Sequence, residues 1–462
     1  MTTAAYGRRG RRGGAPGGRT APPRARRGRS ARRAGGNGRR AVRTEGECVR
    51  CARRVAYPRV PDIRATVARD ARSRARTTAA RRRRVPMRHT DVTTAACGYW
   101  HRRGLPTTPG QVVTAPGAPL LLLALLAATG PATSATPGAV LLPRPAASWH
   151  APPARSLGRP VHHVPVPAEC GGVPDPFALL ETVRRARAAG GDPRVLVVSV
   201  ADDPTGTTVP PELLHEVCEA AVGEGLLVVS DETWRDTVHD RHGTVVVSPA
   251  EMVGDGHADS VVVLAGLDAV PLPPGAGAGV ARLPDSARGR ALGARVREIL
   301  AALHADPHGP DAESAAEALA EPPRVRERRA AGALRHGAFA AALHDAFTEA
   351  GALCRPPRVG RHLYADLEQS RAGLAAHGVG DAAALEAELV RRWGPYAVGG
   401  HRFGDDPRGL RVRVSTEVLA ARTPAAADPG PAGEAGPPLR FPGVPEALGA
   451  VRAALADLLG AD

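Results

Sequence analysis

The sequence predicts an α/β protein whose large domain is built on a mostly parallel sheet and is followed by a smaller α+β domain. Three observations carry this. Val195 to Val200 is an apolar run broken only by Ser199 and bounded by Pro193 and by Asp202-Asp203-Pro204, as a strand covered on both faces requires. Pro210 to Gly223 then sets Leu213, Leu214, Val217, Cys218, Ala221 and Val222 at helical spacing, and Leu226 to Ser230 is a second apolar run ending at Asp231. With a further strand at Ser260 to Leu264, the order strand, helix, strand is that of a parallel sheet, whose functional residues gather at the carboxyl ends of its strands.

From the amino terminus, residues 1–96 show no sustained period, and tracts such as Arg81 to Arg84 cannot bury enough apolar surface to offset chain entropy. A disordered basic segment over 1–97 is expected, either as a real arm or as out-of-frame translation of GC-rich DNA, since the texture changes abruptly at Cys97-Gly98-Tyr99-Trp100. Pro119 to Ala128 is the longest apolar run; it is shorter than the ~20 residues that span a bilayer and reads as a buried helix. Beyond Leu283, Arg288 to His304 and Arg328 to Ala350 keep helical spacing, His362 to Ala365 and Leu410 to Val414 read as strands, and Val444 to Leu459 as a last amphipathic helix after a Pro/Ala/Gly linker over 423–438. The expected domains are therefore 98–285 and 286–462.

The 462 residues suffice for two or three domains, and 43% hydrophobic content can build a sizeable core. The net charge of +16 is unevenly spread. All the basicity sits in the first hundred residues, and the body is mildly acidic. Such an arm reads as solvated or as nucleic-acid-binding. Six scattered cysteines make no disulfide framework, and no apolar signal segment follows the Arg-rich start, so a cytoplasmic protein without a membrane anchor is expected. The chain contains no lysine, so the 62 residues of the lysine and arginine class are all arginine and any mechanism that needs a lysine amine is excluded.

Asp203-Pro204-Thr205-Gly206 after one strand and Asp231-Glu232-Thr233-Trp234 at the end of the next, in this order and spacing, resemble the class I/II aminotransferases, pyridoxal-phosphate enzymes of fold type I. Four more blocks fit the same order: residues 98–104; the loop 115–120; the flanks 261–266 and 279–284 of the lysine segment; and Arg411-Val412-Arg413-Val414-Ser415. The resemblance covers roughly residues 98–420. It implies a fold-type-I large domain, a site shared across a homodimer, amino acids and 2-oxo acids as small-molecule partners, and pyridoxal phosphate as cofactor. Residue by residue, it implies that Asp231 holds the pyridine nitrogen protonated, that Gly117 and Ala118 receive the phosphate at a helix N-terminus, that Asp203 stands where the family contacts the phenolic oxygen, and that Trp234 stands at a further cofactor-contacting position. It also implies that Arg413 pairs with a substrate carboxylate, although the alternating Arg411 could equally be the inward one.

The departures are informative. Asp203 replaces an asparagine, and a carboxylate facing a phenolate is repelled unless protonated. Trp234 replaces a tyrosine, Ala269 stands at the Schiff-base lysine, and Gly277 stands at the phosphate-binding arginine. Losing a positioned acid/base alone costs on the order of 10²–10⁴ in rate, before the covalent step is counted. The expectation is an aminotransferase-like chain with no catalytic residue at position 269 and no transamination, either a decayed pseudoenzyme or a sequence altered by compensating frame slips. A non-catalytic regulator, sensing a ligand or binding nucleic acid through its basic arm, is the alternative. Weaker candidates are Cys48-Val49-Arg50-Cys51, too few ligands for zinc, so that no metal is expected, together with His162-His163, Trp149, Tyr364 and the turn 399–404.

Overall fold

The structure, a computed structural model, describes residues 91–130, 137–167, 170–252, 258–267, 269, 277–305, 309–421 and 436–460, all within the compact unit Val85–Asp462. The Arg-rich segment up to residue 90, Cys48 and Cys51, and most of the 423–438 linker lie outside the described residues. In chain order the elements are α1 (Val92–His101), β1 (Val112–Ala115), α2 (Ala118–Thr129), β2 (Ala139–Arg144), α3 (Ala151–Ser156), β3 (Val161–Pro165), α4 (Pro176–Ala188), β4 (Pro193–Ser199), α5 (Pro211–Gly223), β5 (Leu227–Asp231), α6 (Pro249–Met252), β6 (Val261–Gly266) and β7 (Gly279–Arg282). There follow α7 (Ala287–Ala302), α8 (Gly309–Ala320), α9 (Pro323–Glu349), β8 (Leu353–Cys354), β9 (His362–Asp366), α10 (Arg371–Ala376), α11 (Ala382–Trp393), β10 (Ala397–Gly399), β11 (Arg411–Ser415), α12 (Glu417–Ala420) and α13 (Val444–Leu459).

Seven strands form one sheet in the order β1-β7-β6-β5-β4-β2-β3, with β7 antiparallel to both neighbours and the other pairs parallel. The unbroken apolar runs are explained by cover on both faces. Val195 and Val197 of β4 enter a core with α2 and α7, whereas Leu196 and Val198 enter a second core with α4 and α5. The α2 sequence is apolar almost throughout because most of the helix is buried: Leu121, Leu122, Leu125 and Leu126 are sealed from solvent, while Leu120, Leu123 and Ala127 form a partly buried stripe. Four antiparallel strands, β10-β11-β9-β8, form the smaller sheet, with a core of its own against α9, α11 and α13.

Two boundaries fall elsewhere than the texture of the sequence suggests. Asp91 caps α1 by accepting a 2.8 Å bond from the Thr94 N–H, so ordered structure begins before residue 98. The change near 285 marks where strands give way to helices and not where the cores separate. Leu292, Val296 and Leu300 of α7 pack in the core of the large sheet, and Leu319 of α8 packs with Trp100 of α1. Helical spacing reveals that a helix is buried but not which core buries it.

Register places the site. Ser199 pairs with Asp231, and Asp231 with Leu264, so the carboxyl ends of β4, β5 and β6 lie side by side. Asp203, Asp231 and Ala269 thus come to one edge of the sheet.

Candidate active site

Asp231 ends β5 almost sealed from solvent, at 2% exposure. Its Oδ1 accepts bonds from the Thr233 backbone N–H (3.0 Å) and hydroxyl (2.5 Å), while its Oδ2 lies 3.0 Å from His150 Nε2. The Thr233 hydroxyl in turn accepts the Gly266 N–H at 2.9 Å, which ties the β5 end to β6. His150 was not visible in the sequence as a site residue. It follows Trp149, whose ring meets it edge-on at 4.4 Å, and its Nδ1 is buried with no partner among the described residues. A carboxylate–imidazole pair held this way can store or pass a proton at a fixed point.

Asp203 sits in the turn after β4. That turn is clasped to the smaller domain: the Gly206 carbonyl accepts the N–H groups of Arg358 (2.7 Å) and Val359 (3.0 Å). Gly206 has φ +67°, and a Cβ there would overlap the His362 carbonyl oxygen, so only glycine allows the approach. The clasp brings Asp203 Oδ1 to 3.1 Å from His362 Nδ1 and Oδ2 to 2.8 Å from an Arg413 guanidinium nitrogen. Burial alone would raise the Asp203 carboxyl, but His362 and Arg413 hold it down at about 2. Its neighbour Asp202 has no such cation. It accepts bonds from Thr205, and burial, with Asp203 and Asp231 nearby, raises it to about 7.

Of the two alternating arginines of β11, Arg413 faces the clasped turn and lies over the Phe403 ring at 4.9 Å, while Arg411 pairs with Asp366 and Asp405. Trp234 joins the same group, edge-on to His362 at 5.6 Å. Tyr364, itself on β9, donates to Asp405 Oδ2, and residues 400–403 form a 3-10 turn, so these landmarks tie β9 to the segment before β11. His163 lies on β3 with Nδ1 3.4 Å from the Pro143 carbonyl, in a packing role.

Gly117 and Ala118 start α2, and β7 presses on them. A Cβ at Gly279 would come 2.7 Å from the Ala118 nitrogen, and one at Gly277 would come 2.7 Å from the Pro116 carbonyl oxygen. Ala269 is buried and lines a small cavity with Tyr99, Thr233, Asp236, Leu319 and Arg329. Beside it lies a network unmarked in the sequence. Arg103 and Arg329 both pair with Asp236 and Glu321, Arg102 pairs with Glu321, and the Tyr99 hydroxyl donates to Asp236 at 2.8 Å. Burial would raise Glu321, yet Arg103 and Arg329 hold it at about 2. Among the described residues, no group of three His, Cys, Asp or Glu side chains is arranged to hold a metal ion, and no helix is long and apolar enough to cross a membrane.

A doubly covered parallel sheet with one antiparallel strand, a smaller domain, and a buried Asp–His pair at the carboxyl strand ends define a two-domain α/β protein of fold type I. The family model for aminotransferase class I and II matches residues 57–423, and the chain belongs to that family. Similar solved structures include an aspartate aminotransferase from Thermus thermophilus with maleate, at 19% identity over 86% of this chain and 87% of that one, TM-score 0.60. An aromatic aminotransferase from Pyrococcus horikoshii is 18% identical over 79% and 85% of the two chains, TM-score 0.61. A probable N-succinyldiaminopimelate aminotransferase, also from Thermus thermophilus, is 21% identical over 79% and 83%, TM-score 0.60. At such identities the likeness speaks for the fold. No curated protein matches the sequence.

The family is generally dependent on pyridoxal phosphate. Against this structure the group fits on one side only. Asp231 with His150 suits a ring nitrogen, and the α2 start offers backbone N–H groups. The other contacts do not fit. No amine exists at Ala269, an arginine at Gly277 would drive its Cβ against the Pro116 carbonyl, and Asp203 presents a carboxylate held in its charged form. The residues present do not fit a covalently held cofactor.

Proposed function

We propose that this chain is a non-transaminating member of the aminotransferase family, one that keeps the fold and a small-molecule pocket but has lost the covalent step. The observation that carries this reading is that the chain contains no lysine; Ala269 is read as standing at the lysine position. No neighbour can supply the missing amine, because the only basic side chains are arginine and histidine, and arginine stays protonated at any physiological pH. What remains is proton-holding and ion-pairing chemistry: the Asp231–His150 pair, the Asp203–His362 pair and Arg413.

In this reading the family's ligands are of the amino-acid and 2-oxo-acid class, Arg413 stands at the position of the family's carboxylate-recognising arginine, and Gly117, Ala118, Asp231 and Trp234 line what the pocket retains for a cofactor bound without a covalent link. Related aminotransferases commonly form homodimers, and a cytoplasmic homodimer is the proposed working form.

The test is to incubate the purified chain with pyridoxal phosphate, a panel of amino acids and 2-oxoglutarate, following amino-group transfer by chromatography. A parallel sample is reduced with borohydride and its internal peptides are weighed. No transfer and no cofactor mass on any internal peptide are expected. Turnover above the protein-free reaction, or cofactor mass on an internal peptide, sinks the proposal.

A further inference from the structure

An arginine that recognises a ligand's carboxylate must offer its fork empty. Arg413 does not. One of its terminal nitrogens is 2.8 Å from Asp203 Oδ2, and its Nε is buried without a hydrogen-bond partner among the described residues. The pair is secluded, at 7% side-chain exposure for Asp203 and 17% for Arg413. The second carboxylate oxygen is fixed by His362 at 3.1 Å, and the turn that carries it is clasped through Gly206, so the carboxylate cannot swing aside without giving up both His362 and Arg413. A charged, desolvated pair of this kind is strong because its alternative is an unpaired buried ion.

From this geometry we propose that Asp203 is a built-in carboxylate that occupies Arg413 and closes the site to free carboxylates. A neutral amide at position 203 would leave the guanidinium its charge to share. The carboxylate spends that charge internally, and an entering anion meets both a neutralised arginine and the repulsion of Asp203. Asp203 therefore sets specificity. The pocket admits ligands that make no demand on Arg413, and it admits carboxylates only when Asp203 is removed or neutralised. The inference rests on the reading of Arg413 as the carboxylate arginine, but it involves no cofactor and no turnover.

Titration of the full chain with succinate, without cofactor and followed by calorimetry at pH 7.5, tests it. Asp203→Asn should bind succinate at least about tenfold more tightly than the wild type, and Arg413→Gln in the Asp203→Asn background should abolish the gain. Asp203→Ser serves the same purpose should the amide variant fold poorly. Equal affinity in wild type and Asp203 variants overturns the proposal. So does the absence of binding in well-folded Asp203 variants, and so does a gain that survives Arg413→Gln. Because the readout is binding alone, a transaminating wild type would defeat the proposed function without touching this result.

Discussion

His336 gives a quantitative prediction about acid. It lies within α9, 5% exposed, and its Nδ1 is 2.8 Å from the hydroxyl of the fully buried Thr416, just past the end of β11. Burial, with Arg361, Arg335, His239 and His362 around it, pushes its pKa down from 6.5 to about 3. Glu417 would favour the charged ring, but it lies 4.0 Å away, is 38% exposed and also pairs with Arg361. The folded state therefore keeps His336 neutral while the unfolded chain takes up a proton below 6.5. The stability this neutral ring contributes is present above pH 6.5 and is lost as pH falls towards 3. For these two values the loss is about 2 kcal/mol at pH 5 and about 3 kcal/mol at pH 4. Urea unfolding of the wild type and of His336→Gln at pH 7, 5 and 4 measures it. The glutamine keeps a hydrogen bond to Thr416 but has no proton to gain, so its midpoint should fall less steeply, and the two curves should converge by about 3 kcal/mol between pH 7 and 4. Parallel curves across that range would refute the reasoning.

Four further outcomes are expected. Asp202 is raised to about 7, so its contribution is complete below its ordinary value near 3.8 and disappears as pH rises through 7; Asp202→Asn should be more stable than the wild type at pH 8 by on the order of 2–4 kcal/mol, a gain that vanishes by pH 4 in the same urea assay. Gly206→Ala combines a left-handed φ with overlap on the His362 carbonyl oxygen and should cost about 2–4 kcal/mol; a thermal midpoint unchanged from the wild type would show that the clasp yields freely. Leu122→Ala, at a fully buried side chain of α2, should cost about 2–5 kcal/mol by denaturant unfolding. Arg329→Met strips Glu321 of one of its buried cations and should cost about 3–5 kcal/mol at pH 7, a penalty that shrinks as the pH is lowered and Glu321 takes up a proton.

The strands and helices were legible because burial on two faces or one face writes itself into sequence period. Val444–Leu459 was expected and found with the same limits, and the run at 195–200 became β4. Asp203, Asp231, Trp234 and Arg413 could be picked out by motif; the fold sets Asp203, Asp231 and Trp234 at the carboxyl ends of β4 and β5, and Arg413, in the middle of β11, reaches Asp203 from the smaller sheet. What was hidden is pairing across long separations. Nothing near position 362 announces that an imidazole will meet Asp203, and nothing near 150 announces a partner for Asp231, since each contact joins distant segments through single residues with no spacing to read. The choice between Arg411 and Arg413 was undetermined for the same reason. Alternation says only that both point one way, and the distinction comes from Asp366 and Asp405 claiming the first.

The arginine network beside Ala269 has a consequence for the chemical life of the protein. Every cation that joins α1 and α9 to the loop after β5 is a guanidinium, and Tyr99, the hydroxyl among them, is itself pushed well above its ordinary range by burial. Alkali that would discharge ammonium groups leaves this joint fully charged and paired. Acylating enzymes, reducing sugars and amine-directed crosslinkers find no lysine side chain on this protein to modify. Its internal charge pattern is written once, at translation, and is closed to later editing at side-chain amines.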